Sequence, residues 1–122
     1  MELSKKDKRI AREVIAKGMH EDFRLGMLSF DAIIQRWRDN ESVTGHQEHY
    51  AELYGSIMDF NKFIARRYDY LRNSMFIDVL AAQLNEKLIS TSDLDVFSPE
   101  VKEYILLILQ RRQSFAEENN MR

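Results

Sequence analysis

Apolar residues return along the first third of the chain in steps of three and four: Ala11, Val14, Ile15, Gly18, Met19, Phe23, Gly26, Met27, Phe30, Ile33, Ile34, Trp37. That spacing is one face of an α-helix. Ser4 is a good N-cap with Asp7 three residues on, close to a capping box. The pattern predicts one helix over about 5–39. A break near Gly26–Ser29, with Ser29 capping a second helix, is the alternative. The unbroken phase of the stripe across both glycines favours continuity. Gly18 and Gly26 fall on the buried face, where each costs about 1 kcal/mol against alanine. Close approach of a neighbouring helix would offset that cost.

After a loop at 40–44, a second stripe runs Tyr50, Leu53, Tyr54, Ile57, Phe60, Ile64, Tyr68, Leu71, widened by Met58 and Phe63. It predicts a second helix over about 45–72, closed by Arg72-Asn73-Ser74. Phe76, Val79, Leu80, Leu84 and Leu88 predict a third helix over about 74–89. Ser90 to Phe97 reads as a polar connection with one helical turn from Ser92. Ser98-Pro99-Glu100 then places a cap, a proline at the first helical position and an acid in the first turn. It opens a fourth helix over about 99–117. Ile105-Leu-Leu-Ile-Leu109 is apolar nearly all round, which predicts the most central helix of the four. The expected fold is all-α: an antiparallel bundle of four main helices in a single domain, 1–122. Two long and two short helices leave part of the long pair uncovered, which points to a second copy.

Composition agrees with this picture. With 122 residues, four glycines and one proline, the chain has few of the turn signals a sheet needs. The longest apolar run, Tyr104 to Leu109, is far short of the ~20 residues a membrane span requires. No cysteine is present, which excludes disulfides and thiolate metal sites and fits a cytoplasmic setting. The net charge of −2 names no partner. Its distribution is uneven: residues 1–40 carry nine Lys/Arg against seven Asp/Glu, and residues 73–110 carry two against six.

Three kinds of chemistry compete for the remaining polar residues. His46, His49 and Glu52 form a ladder with steps of three, and His20 on the first helix is a further imidazole. These are the candidate metal ligands. Yet the zinc signature His-Glu-x-x-His is absent, and the position three before each histidine holds Lys17, Val43 and His46, so no Glu-x-x-His unit exists. Thr44 with Gln47 instead fits a capping box, which makes this stretch the first turn of the second helix. No cofactor or metal is expected. Lys5, Lys6, Lys8, Arg9 and Arg12 crowd the start of the first helix and oppose its dipole, which suggests phosphate contacts. Arg66, Arg67 and Arg72, with Asp69 and the tyrosines between them, form a second basic stretch. A pI near 5.9 argues against a dedicated nucleic-acid binder. No nucleophile elbow, phosphate loop or complete calcium loop occurs.

The leading expectation is a small non-catalytic helical bundle acting through protein–protein contacts, with a homodimer as one form. Tyr50, Tyr54, Phe60, Phe63, Tyr68, Tyr70 and Phe76 are more aromatics than one bundle face absorbs. An accessory nucleic-acid-binding protein using the N-terminal cluster is the alternative, and a metal-dependent bundle enzyme the third reading.

Overall fold

The computed structural model describes residues 1–40 and 45–120. Among them are four α-helices and no strand: α1 (Lys5–Asp39), α2 (His46–Tyr68), α3 (Phe76–Asn85) and α4 (Pro99–Asn120). The fold is all-α with the four main helices expected. α1 is one helix through both of its glycines. The chain divides into two compact units, Met1–His20 with Tyr70–Arg122, and Glu21–Asp69. α1 supplies residues to both.

The first unit holds a dense core. Ile10, Ala11, Val14 and Ile15 of α1 are buried, as are Phe76, Ile77, Val79, Leu80, Ala81 and Leu84 of α3. Leu94 and Phe97 of the connection, and Val101 and Ile105 of α4, are buried as well. α3, not α4, is therefore the central helix. The apolar run of α4 is only half used: Leu107 is exposed and Leu106, Ile108 and Leu109 are half-buried. An all-round apolar helix has more apolar surface than its neighbours can cover, and α3 is short enough to be surrounded.

Polar side chains set the joints of this unit. Ser4 caps α1, its hydroxyl accepting from the Asp7 N–H at 3.1 Å. The buried Asp7 carboxylate then accepts from Ser98, from the N–H at 3.2 Å and the hydroxyl at 2.9 Å. Ser98 is the residue before α4, so one carboxylate serves the positive ends of two helices. Burial pushes the Asp7 carboxyl up. The bonds from Ser98 and Ser4, with the charge of Lys6, outweigh burial and hold it below the usual carboxylate range. Gln83 on α3 is fully buried and donates from Nε2 to the Ile15 carbonyl at 3.0 Å. Its amide fills the space over Gly18, where a Cβ would lie 2.2 Å from Nε2. The glycine is thus required by a side chain rather than by a neighbouring backbone.

Two helix ends depart from expectation. α2 stops at Tyr68 rather than near 72, because Asp69 is extended and Tyr70 adopts the left-handed conformation, φ 59. The third helix is shorter than 74–89. It opens with a 3-10 turn, Asn73–Met75, and ends at Asn85. Its end is a Schellman motif: Lys87 takes φ 61, its N–H reaches the Leu84 carbonyl at 3.1 Å, and Leu88 N–H reaches Gln83 at 2.9 Å. Leu88 and Ile89 are buried beyond the helix rather than on it. The connection contains a 3-10 turn, Thr91–Leu94, capped by Ser90 and Asp93, with the Ser90 N–H 2.8 Å from Asp93 Oδ2. It is not simply polar, since Leu94 anchors it in the core.

A candidate partner-binding face on the helical hairpin

The second unit is a hairpin of the C-terminal half of α1 and all of α2. Its pairs run in opposite order along the two helices, so the helices are antiparallel. Asp22 meets Arg67 and Tyr68, Phe23 and Phe30 meet Phe60, Arg36 meets Glu52, and Trp37 meets His46. Gly26 makes the centre possible. A Cβ there would lie 2.5 Å from Cε2 of Phe60, whose ring stands edge-on to Phe23 (5.4 Å) and Phe30 (5.6 Å). At the open end the buried Asp22 accepts from Arg67 Nη1 at 3.2 Å and from the Tyr68 hydroxyl. The Arg67 guanidinium also lies 4.5 Å over the Phe63 ring.

At the loop end, α2 begins from Gly45 in the left-handed conformation, φ 106, with the His49 N–H on the Gly45 carbonyl at 3.0 Å. A glycine suits that backbone, whereas most residues would strain. Thr44, the expected cap, lies outside the described residues. Trp37 Nε1 donates to His46 Nδ1 at 2.9 Å, so this imidazole acts as an acceptor across the hairpin. His49 Nδ1 is buried and has no hydrogen-bond partner among the described residues.

The contacts between the helices use residues such as Asp22, Gly26 and Ile33 on α1 and His49, Leu53 and Phe60 on α2. One residue after each of these lies about 100° further round a helix of 3.6 residues per turn. In an antiparallel pair those next positions emerge on the same side. They are Phe23, Met27, Phe30, Ile34 and Trp37 on α1, and Tyr50, Tyr54, Ile57, Asn61, Ile64 and Tyr68 on α2. Both rows step by four and three. The Arg36–Glu52 ion pair lies on the opposite side.

This second row is largely uncovered. Met27 is 65 % exposed, Tyr50 67 % and Tyr54 57 %, and Phe23, Trp37 and Ile57 are exposed too. No residue of α2 is buried. Tyr50 and Tyr54 stack on each other with ring centroids 6.3 Å apart. The row carries no charged side chain. At the loop end it opens into an apolar pocket of about 330 Å³ lined by Ile33, Ile34, Trp37, His46, His49, Tyr50 and Leu53.

The sequence-based candidates distribute as follows. His46 and His49 both line this pocket, but Glu52 is paired with Arg36, and His46 is engaged by Trp37. Among the described residues no three His, Asp or Glu side chains gather in a ligand set. His20 is exposed in the other unit, while Glu21 is paired with Arg24 and Asp22 with Arg67. Of the N-terminal cluster, Lys5, Lys6 and Arg9 are exposed and Lys8 is half-buried. Arg12 is engaged within its unit, donating to Asn73 Oδ1 at 3.2 Å and lying 5.5 Å over the Phe76 ring. Because α2 ends at Tyr68, Asp69 and Arg72 do not share a helical face with Arg66. Trp37 escaped notice as a site residue, because it continues the same stripe that buries Ile33. A signal was present in the adjacent rows Ile33–Ile34 and Leu53–Tyr54, which make the apolar arc wider than one contact needs.

No family model, curated protein or solved structure matches the chain. Among the described residues no helix is long and apolar enough to cross a membrane.

Proposed function

We propose that the protein is a small non-catalytic helical protein of the cytoplasm that works by protein–protein contact, with the outer face of the α1–α2 hairpin as its contact surface. One observation carries this reading: a row of exposed and half-exposed aromatic and aliphatic side chains, interrupted on α2 by Asn61 and without a charge. Interface centres are enriched in Tyr, Trp, Phe and Met and depleted of charge. A contiguous exposed apolar patch of this kind marks a site of association. The lack of cysteine fits a reducing compartment. Nucleic acid is the weaker partner, since Arg12 already serves the fold and the overall charge is negative.

The test is site-specific photo-crosslinking in cells, with a benzophenone amino acid at Tyr54 on the face or at Asp59, which is exposed off it. A discrete cross-linked protein species from position 54 alone is the expected result. Equal labelling from both positions, or none from either, would overturn the reading.

A further inference from the structure

Resting on that reading, we propose that the partner is a second copy of this chain, the two hairpin faces packing on each other into four helices. Four features of the face support a copy.

The first is area. With ~150–250 Å² per aromatic side chain, the exposed parts of Phe23, Met27, Trp37, Tyr50, Tyr54 and Ile57 amount to roughly 600 Å². Each partner in a standard interface buries about 800 Å², so this face with its rim is the size a stable dimer needs. The second is periodicity. Rows stepping four-three-four on both helices suit the shallow crossing at which helices of a four-helix arrangement interdigitate.

The third is Gly55. The other two glycines within helices are each filled from within the chain, Gly18 by Gln83 and Gly26 by Phe60. Around Gly55 no atom of the described residues lies within 4 Å of where a Cβ would stand, its own helix backbone and chain neighbours aside. It sits beside Tyr54, one turn from Ala51 and Met58 on one side and from Glu52 and Asp59 on the other, so a small position adjoins a large one at the rim of the face on α2. A two-fold axis can set the Tyr54 of each copy against the Gly55 of the other.

The fourth is a hollow with matching projections. The 330 Å³ pocket lies at the loop end of the face. Phe23 and Met27 project from the same face roughly 16 and 10 Å back along α1 from Ile34, at 1.5 Å per residue. Turning one hairpin end for end lays these two side chains over the partner's pocket. Self-complementarity of this form needs no charge, and the row carries none.

The full-length chain is tested by light scattering during size exclusion and by the emission of Trp37, the single tryptophan, which stands in the pocket wall. The expected mass is twice 14.5 kDa, with Trp37 emission shifting to the blue as concentration rises. Tyr54→Lys and Gly55→Arg are expected to weaken the dimer by at least roughly 30-fold, the loss of a hot-spot contact. At Gly55 no described atom lies within 4 Å of where a Cβ would stand, and arginine gains helix propensity over glycine, so loss of the dimer there is not loss of fold. A dimer indifferent to both variants would overturn the proposal. A monomer at several hundred micromolar, together with a Tyr54 cross-link to a different protein, would also overturn it and leave the contact-face reading standing. A monomer with no cross-link at position 54 would sink both.

Discussion

The two units are built from similar amphipathic helices and end in opposite conditions. Every buried hydrophobic side chain among the described residues, except Ile33, belongs to the unit formed by Met1–His20 and Tyr70–Arg122. The hairpin Glu21–Asp69 instead relies on Phe60 seated over Gly26, the Asp22–Arg67–Tyr68 cluster and the exposed Arg36–Glu52 ion pair between its helices. Two helices have one contact line between them, whereas a third element creates a volume where side chains are enclosed on all sides. The first unit has such third elements in α3 and α4. Among the described residues the hairpin unit consists of two helical segments alone, so the same kind of stripe remains half wet.

The largest expected effect sets the two units against each other. Leu80→Ala, at a fully buried site, should lower stability by about 2–5 kcal/mol. Tyr54→Ala in dilute solution should stay within about 0.5 kcal/mol. Urea unfolding followed by circular dichroism measures both. A large loss from Tyr54→Ala in the monomer would mean that the hairpin face is already covered.

Asp7→Ala should cost roughly 2 kcal/mol, because it orphans the charge-assisted bonds at two helix ends. Its pH dependence has a fixed sign. The folded carboxyl titrates below its ordinary value of 3.8, so its contribution is full at neutral pH. It fades as pH falls through that lowered value. Asp93 adds to the same acid limb. The hydrogen bond from Lys17, first, and the Ser90 N–H hold its carboxyl low despite burial. Acid unfolding of Asp7→Ala should therefore show a shallower loss below pH 4 than the parent; an unchanged acid limb would remove Asp7 from this role.

The hairpin glycines should respond with opposite signs. Gly26→Ala forces the Phe60 ring to move, at a cost of about 1–3 kcal/mol. Gly55→Ala meets no atom of the described residues within 4 Å and should gain up to about 1 kcal/mol of helix propensity. Hydrogen exchange of α2 amides resolves both. The smallest effect belongs to the other unit: Lys87→Gly should stabilise by up to about 1 kcal/mol, since φ 61 suits glycine. A loss in thermal unfolding would show that the Lys87 side chain is needed there.

Much of the fold was legible in local chemistry. The bounds of α1 follow from Ser4 and an unbroken stripe, and the start of α4 from Ser98-Pro99. The ends of α2 and α3 were hidden because Tyr70 and Lys87 take the left-handed conformation without being glycine. In the α2 region the apolar phase also runs on to Leu71 after the helix has stopped. The hairpin face was legible only as a surplus of aromatics. Phe60, Phe76 and Tyr50 look alike in the sequence, yet one fills a glycine notch, one is core and one is exposed.

Residue order alone determined that the chain is helical, where its helices begin, and which side of each helix is apolar. Those properties depend on caps, backbone propensity and spacing within a few residues. Tertiary structure decided which apolar sides are enclosed, that α3 rather than α4 is central, and that His46 and His49 line an apolar pocket beside Trp37. Enclosure depends on what other elements reach a surface, and spacing along one helix carries no record of that.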